Sequence, residues 1–226
     1  MHATLYHERL SKFLNEVTVY PVSCEKLAAG RSDLEWLDAV LAGGARIVQL
    51  RDKVADSRTL YAKALAFREK TRAAGALFIV NDRLDIALLT EADGVHLGND
   101  DLPAEAVRRF APNLIIGVSC NTEEQAATAE ARGASYFNIG PLFPTRTKEE
   151  AREYIGVEAI QRFSARSPLP FTVMGGIKFD HIPRITAAGA RRIAVVTALS
   201  QAPDIAAATR EWVAAIRQGS VNRKSK

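Results

Sequence analysis

The runs LIIGV at residues 114–118 and RIAVV at residues 192–196 are almost entirely apolar. A strand with one face in water alternates apolar and polar side chains, whereas a strand covered by helices on both faces does not. The two runs therefore predict a parallel sheet buried between layers of helix. Outward from them in both directions, short apolar runs alternate with longer stretches in which apolar residues recur at helical spacing.

The chain contains eight strand candidates. They lie at residues 17–23, 46–50, 77–80, 94–97, 114–118, 136–139, 171–174 and 192–196. Eight strand–helix units fit a compact (β/α)8 barrel better than an open doubly wound sheet, which usually has about five or six strands. We therefore predict an α/β protein with a single (β/α)8 TIM barrel and an added N-terminal helix.

No linker rich in Ser, Gly or Pro divides the chain, so we predict one barrel domain over residues 17–217. Residues 1–16 are predicted to form a helical N-terminal extension, with Leu5, Leu10, Phe13 and Leu14 near one side. Residues 218–226 are predicted to be a basic, disordered tail, because such chain ends lack apolar residues with which to pack.

The net charge of +4 raises the question of a nucleic-acid partner. The last ten residues carry four of the 30 basic residues and none of the 26 acidic ones, so the first 216 residues are formally neutral. Aromatic residues make up 7% of the chain and are not interleaved with a basic stripe, as single-strand binding would need. We therefore expect no nucleic-acid partner.

Composition and cysteine use predict a soluble cytoplasmic protein. The chain is 47% hydrophobic and 25% charged, which is close to the globular norm. Neither a signal peptide nor a run of about 18 apolar residues is present, so we expect no membrane association. Cys24 and Cys120 match no zinc-ligand spacing, which favours two reduced thiols over a disulfide. No dinucleotide, P-loop, α/β-hydrolase or zinc-protease motif occurs.

Active sites of such barrels lie at the carboxyl ends of the strands, where this sequence is unusually polar. Gln49, Arg51 and Lys53 follow the two-residue period of a strand and would point to the same side. Two buried cations are costly to desolvate unless an anion joins them. The alternative is a water-exposed charged strand, but a parallel barrel leaves no strand face freely exposed. The pattern therefore favours a site for a polyanion.

Asp82 and Asp101 follow two neighbouring strands and allow two interpretations. They could approach one Mg²⁺ ion, which typically takes one or two protein carboxylates with water and phosphate oxygens. They could equally cap the helices that follow them, with Pro103 in the first helical position.

Three further features are ambiguous. Gly175 and Gly176, with Thr197, fit either a phosphate site at a helix N-terminus or a tight turn. The loop at residues 145–148, TRTK, is either a lid over anionic ligands or a solvated basic loop. His96 lies on an apolar strand, and such a histidine is more often a hydrogen-bonded core residue than a catalyst.

The segments QLRDK, NDRLDIALLTEADGVHLGNDDLP, IIGVS, GPLFPTRTK, MGGI and IAVVTAL occur in the order and at the spacings of the thiamine-phosphate synthase family. The chain resembles this family from about residue 20 to residue 212. The resemblance implies a cytoplasmic transferase that joins hydroxymethylpyrimidine diphosphate to a thiazole or carboxythiazole phosphate with Mg²⁺, forming thiamine phosphate and diphosphate. It is also compatible with a homo-oligomer.

The resemblance also implies roles for individual residues. Those that would hold the pyrimidine diphosphate are Gln49, Arg51, Lys53, Asn81, Ser119 and Lys148. Among them, Arg51, Lys53 and Lys148 would be catalytic through the leaving diphosphate, and Asp82 and Asp101 would hold the metal. Those that would hold the thiazole phosphate are Thr145, Thr147, Gly176, Val196 and Thr197.

Two other functions are compatible with parts of this pattern. A thiazole tautomerase of the same superfamily would lack the full diphosphate set, whereas Gln49, Arg51, Lys53, Asp101 and Lys148 are all present. A non-catalytic phosphate-ligand-binding barrel would keep Gly176 and Thr197 but tolerate loss of Asp82 and Asp101. The sequence favours the synthase over both.

Overall fold

The computed structural model describes residues 2–145 and 153–222. Its strands are β1 (Val19–Pro21), β2 (Ile47–Leu50), β3 (Leu77–Asn81), β4 (Gly94–Leu97), β5 (Ile115–Cys120), β6 (Tyr136–Ile139), β7 (Phe171–Val173) and β8 (Ile193–Val195). Its helices are α1 (His2–Glu16), α2 (Asp33–Ala42), α3 (Ser57–Ala73), α4 (Leu84–Leu89), α5 (Ala104–Phe110), α6 (Glu123–Thr128), α7 (Ala159–Ser164), α8 (Ile182–Ala187), α9 (Thr197–Ser200) and α10 (Ile205–Asn222). Short 3-10 turns lie at Glu25–Leu27 and Phe179–His181.

The eight strands form one sheet in which every paired strand is parallel to its neighbour. Each strand pairs with the next from β2 to β8, and β8 pairs with β1. The circle is completed by a parallel bridge between Val22 and Gln49, with the Ser23 N–H donating to the Gln49 carbonyl at 2.9 Å. The (β/α)8 barrel predicted from the sequence is confirmed.

Apolar residues form two cores, one on each side of the sheet. The larger core lies between the sheet and the surrounding helices, and includes Trp36, Phe67 and Phe137. The smaller core fills the barrel interior and includes Tyr20 and Tyr136. Because strand residues on both faces are buried, the strands have no need of polar alternation, which explains the apolar runs in the sequence.

The N-terminal helix α1 closes the amino-terminal end of the barrel. Phe13 is fully buried, and its ring stacks on that of Tyr136 with 4.6 Å between centroids. Arg192 donates from Nε to the Phe13 carbonyl at 2.9 Å, while Arg9 forms an ion pair with Asp93 at 3.1 Å. The helix is therefore held by one aromatic anchor and two guanidinium groups.

The prediction of which α1 residues face the barrel is only partly correct. Leu5 and Leu14 are 41% and 43% exposed. The buried side carries Phe13, with Tyr6 and Leu10 partly buried beside it. These three residues are spaced at i, i+4 and i+7, so docking of Phe13 turns the other two leucines toward water.

The last helix also departs from the prediction. Residues 218–222, which we placed in a disordered tail, continue α10 as far as Asn222. A Cβ on Gly219 would lie 2.3 Å from Thr186 Oγ1, so this turn packs closely against α8. The basic residues Arg223, Lys224 and Lys226 lie outside the described residues.

Two smaller expectations concern membranes and cysteines. Among the described residues, no helix is both long and apolar enough to span a bilayer. Cys24 and Cys120 are free thiols, and burial raises the pKa of Cys120 to about 12.

Candidate active site

Side chains predicted to bind the pyrimidine diphosphate gather at the carboxyl ends of β2 to β5. Gln49 lies on β2, Asn81 ends β3 and Ser119 lies near the end of β5. Parallel register places Asn81 beside His96 on β4. The fold thus brings Gln49, Asn81 and Ser119 to the same end of the barrel.

Gln49, Arg51 and Lys53 have different surroundings. Gln49 is 4% exposed and is part of the barrel interior. Arg51 is half-buried, and its backbone N–H donates to Ser23 Oγ at 3.0 Å. Lys53 is more exposed and forms an ion pair with Asp82 on the loop after β3. Because β2 ends at Leu50, only Gln49 of the three lies on the strand, and the two-residue period that predicts their convergence does not extend to Arg51 or Lys53.

Asp82 and Asp101 come together at the carboxyl ends of β3 and β4. The pKa of Asp82 is raised, first by burial and then by a hydrogen bond with Asp101. Asp101 Oδ2 accepts from the Gly98 N–H at 2.7 Å. In the described part of the chain neither aspartate is a helix cap, since the residues preceding α4 and α5 are Arg83 and Pro103. Of the two interpretations left open by the sequence, the geometry favours the carboxylate pair.

The donor set of this pair fits a hard divalent cation. When two carboxylates are neighbours, ionising both of them costs free energy because the negative charges repel. A positive charge nearby lowers this cost. Lys53 supplies such a charge to Asp82. Oxygen ligands from one or two carboxylates, completed by water and phosphate, are what Mg²⁺ takes in proteins. Asp82 and Asp101 are therefore the residues that could hold the ion.

A second acidic cluster lies at the same end of the barrel, but a lysine ammonium already pairs with its carboxylates. Glu25, Asp33 and Asp52 bring carboxylate oxygens within 4.8 Å of one another, a spacing that a metal ion could use. The Lys63 ammonium lies among them, at 2.8, 2.7 and 2.8 Å respectively. A lysine that pairs with all three carboxylates makes this cluster an ion-pair network.

Gly175 and Gly176 allow the loops after β6 and β7 to pack against each other. Their φ angles are 104° and 62°, a region that favours glycine. A Cβ on Gly175 would lie 2.4 Å from Pro141 Cβ, and one on Gly176 would lie 2.3 Å from the Pro144 carbonyl oxygen. The tight turn therefore explains why glycine occupies both positions. Phosphate binding at this pair would need separate support.

The remaining residues predicted for the thiazole phosphate are only partly described. Thr145 is half-buried after β6, Val196 follows β8, and Thr197 begins α9. Thr147 and Lys148, which complete the predicted set, lie outside the described residues.

Sequence reasoning missed a chain of hydrogen bonds across the barrel interior. Gln49 Nε2 donates to the Tyr20 hydroxyl at 2.9 Å, and the hydroxyls of Tyr20 and Tyr136 are 3.1 Å apart. His96 Nδ1 is 3.1 Å from the Tyr136 hydroxyl, and His96 Nε2 is 3.2 Å from Ser119 Oγ. His96 is thus hydrogen-bonded, as the core interpretation expects. Tyrosines on inward-facing strand positions are the signal that could have revealed the chain, because a buried phenol requires a partner.

Fold and site together place the chain among (β/α)8-barrel proteins that carry cationic and acidic side chains at the carboxyl ends of the strands. The family model described as thiamine monophosphate synthase matches residues 19–199. The chain belongs to this family.

Individual relatives agree with this membership. The thiamine-phosphate synthase of Methanospirillum hungatei is 46% identical over 195 residues, which cover 86% of this chain and 95% of that protein. The one from Moorella thermoacetica is 45% identical over 193 residues, covering 85% and 92%. The solved thiamine phosphate pyrophosphorylase of Pyrococcus furiosus superposes with a TM-score of 0.85 at 36% identity, covering 92% of this chain and 98% of that one. A 3-hexulose-6-phosphate synthase, at 20% identity and a TM-score of 0.64, shares the fold alone.

Proposed function

We propose that the protein joins hydroxymethylpyrimidine diphosphate to a thiazole or carboxythiazole phosphate, releasing diphosphate and forming thiamine phosphate. With the carboxythiazole phosphate, the carboxyl group also leaves as CO2 and a proton from water takes its place on the ring. The observation that carries this proposal is the Asp82–Asp101 carboxylate pair with Lys53 beside it, at the mouth of a barrel related to thiamine-phosphate synthases. Arg51, held by its backbone bond to Ser23, adds a second cation at the same end.

The reaction requires stabilisation of a leaving group more than it requires a base. The bond between the pyrimidine methylene carbon and the diphosphate oxygen breaks, and its electron pair leaves with diphosphate. The thiazole nitrogen then donates its lone pair to the methylene cation. No proton moves in these steps, so no nucleophile–base pair is needed. Mg²⁺, when bound, supplies positive charge to the departing diphosphate oxygens.

The residues divide between the two substrates by position in the barrel. We assign Gln49, Asn81 and Ser119 to the pyrimidine, Asp82 and Asp101 to the metal, and Arg51, Lys53 and Lys148 to the diphosphate. We assign the thiazole phosphate to Thr145, Thr147, Gly176, Val196 and Thr197. Support comes from the described residues, which lie on or just after β2 to β5 for the first substrate and just after β6 to β8 for the second. Thr147 and Lys148 lie outside the described residues and are assigned by the family resemblance. The cytoplasmic location, homo-oligomer and lack of nucleic-acid partners stay predictions.

The direct test mixes the purified protein with both phosphorylated substrates and Mg²⁺ and measures thiamine phosphate by chromatography. We expect product in the complete mixture, and none after the metal is removed with a chelator and the protein is dialysed. Addition of Mg²⁺ restores turnover. Undiminished activity in metal-free buffer contradicts the role of Asp82 and Asp101. Isomerisation of the thiazole phosphate without any coupling product favours the tautomerase instead.

A further inference from the structure

The interior hydrogen-bond chain has a defined direction. The Gln49 side-chain nitrogen can only donate, and it donates to the Tyr20 hydroxyl. Burial raises the pKa of both Tyr20 and Tyr136, so each phenol keeps its single proton at neutral pH. Among the described residues, the acceptor within reach of the Tyr20 proton is the Tyr136 oxygen, 3.1 Å away.

The same reasoning extends to the imidazole. Because the Tyr136 oxygen receives the Tyr20 proton, its own proton points to the next partner, His96 Nδ1, at 3.1 Å. A nitrogen that accepts a hydrogen bond carries no proton. The proton of the neutral ring is then on Nε2, which is 3.2 Å from Ser119 Oγ and donates to it.

The two ends of the hydrogen-bond chain, Gln49 and Ser119, are residues that we assign to the pyrimidine, and they offer it complementary groups. Ser119 Oγ accepts from His96, so its hydroxyl proton is available to donate toward the mouth. Gln49 uses its Nε2 within the chain, so its Oε1 is available to accept. One donor and one acceptor are chemically complementary to the edge of an aminopyrimidine, where a ring nitrogen that accepts adjoins an amino group that donates.

Gly117 shows that the backbone of β5 accommodates this chain. A Cβ at this position would lie 2.2 Å from Tyr136 Cζ, 2.4 Å from its hydroxyl oxygen and 2.5 Å from His96 Nδ1. Any side chain larger than hydrogen would enter the Tyr136–His96 hydrogen bond. The position therefore offers a way to disturb this bond without altering either partner.

We propose that Tyr20, Tyr136 and His96 are positioning residues that fix His96 as the neutral Nε2–H tautomer, and so set Ser119 as donor and Gln49 as acceptor for an aminopyrimidine. The tautomer follows from the hydrogen bonds between protonated phenols, whereas the aminopyrimidine rests on the proposed function. None of the three residues needs to exchange a proton with the substrate in this role.

The primary test is the tautomer itself. Protein with ¹⁵N-labelled histidine is examined by long-range ¹H–¹⁵N correlation at neutral pH, and the His96 signals are assigned among the four histidines by their loss in His96→Asn. We expect an unprotonated Nδ1 and a protonated Nε2. A protonated Nδ1, or an imidazolium with both nitrogens protonated, overturns the proposal. This measurement does not depend on enzyme activity. It therefore distinguishes an error in the proposed tautomer from an error in the proposed function.

The second test disrupts the hydrogen bond between Tyr136 and His96 in two ways. Tyr136→Phe keeps the ring that stacks on Phe13, and Gly117→Ala disturbs the same bond from the other side. We expect each variant to change the His96 signals and to raise KM for the pyrimidine diphosphate about tenfold, the equivalent of one hydrogen bond. KM for the thiazole phosphate should change less than twofold. Circular dichroism verifies that both variants are folded.

The matched control is Tyr6→Phe. The Tyr6 hydroxyl is also hydrogen-bonded, to Ser135 Oγ at 3.3 Å, but lies on α1 at the opposite end of the barrel. We expect the Tyr6→Phe variant to show the same His96 signals and the same two KM values as the parent protein. Equal changes in the two KM values of Tyr136→Phe, or the same shift in Tyr6→Phe, would mean a general packing effect and overturn the positioning role.

Discussion

Lys63 shows how one side chain can organise a site that it does not enter. Its ammonium pairs with Glu25 of the turn after β1, Asp33 at the start of α2 and Asp52 on the loop after β2. Burial alone would raise the pKa of Asp52, but hydrogen bonds from Lys63 and from the Ala55 and Val54 N–H groups lower it overall. Since Asp52 lies between the cations Arg51 and Lys53 in sequence, Lys63 holds the segment that presents them.

Replacement of Lys63 by methionine tests this interpretation. The side chain of Lys63 is 15% exposed, and its loss leaves three carboxylates without their shared cation. We expect Lys63→Met to lower the free energy of unfolding by about 3 kcal/mol. We also expect it to raise KM for the pyrimidine diphosphate more than KM for the thiazole phosphate. Urea unfolding and steady-state kinetics provide the two measurements.

The chain offers a matched control on the same helix. Lys70 of α3 pairs with Asp38 of α2 at 2.7 Å, but the two side chains are 37% and 57% exposed. An exposed pair contributes little, so Lys70→Met should change the free energy of unfolding by about 0.5 kcal/mol or less. Equal effects of the two substitutions would contradict a special role for Lys63.

At the level of elements, α1 differs most from the sequence prediction, and one residue explains why. Phe13 enters the end of the barrel and stacks on Tyr136, which fixes the rotation of the helix about its axis. The sequence supplies four apolar residues near one side, and their spacing alone does not say which of them meets the core. Leu14, adjacent to Phe13, is consequently exposed.

Two alanine substitutions distinguish the anchor from its neighbour. We expect Phe13→Ala to lower the free energy of unfolding by about 3 to 5 kcal/mol, because the fully buried ring leaves a cavity when it is removed. Leu14→Ala, at a 43% exposed site, should cost less than about 1 kcal/mol. Urea denaturation followed by tryptophan fluorescence measures both. A larger loss for Leu14→Ala would show that the helix docks with a different side.

The strands illustrate how far a sequence can predict elements. The bounds of β4 and β6 agree with the predicted runs at residues 94–97 and 136–139. The run at residues 17–23 is longer than β1, because Val17 and Val22 are buried outside the strand. Apolar runs report burial, and burial coincides with strand pairing only where the flanking loops are exposed.

The candidate site was predictable in part for the same reason. Residues that end strands share a location in any parallel barrel, so Gln49, Asn81 and Asp82 could be placed by topology. Tyr136 and Lys63 could not, because their partners come from distant segments whose side-chain directions depend on the assembled barrel. Pairings of this kind leave no period in the sequence.

For the molecule as a whole, the join between β1 and β2 is, within the described residues, one of the two places where a single residue pair connects neighbouring strands, the other being the join between β7 and β8. An isolated bridge, Val22 to Gln49, connects them, whereas β4 and β5 align through four residue pairs. Native-state amide exchange follows local opening, so the Ser23 N–H, which donates to the Gln49 carbonyl, should exchange faster than amides of β4. Hydrogen exchange monitored by NMR measures the ratio, which we expect to exceed tenfold. Equal protection would mean that the barrel opens only as a unit.

Closure of one end of the barrel by α1 also affects how substrates enter and products leave. With Phe13 seated against Tyr136 at one end, the described residues leave the other end, which carries the proposed site, as the side from which substrates would approach. Both substrates would arrive, and both products depart, through this one opening. Diphosphate that lingers there blocks the next pyrimidine diphosphate from entering. Release and reloading are thus consecutive events, and the rate at which the mouth clears sets an upper limit on turnover.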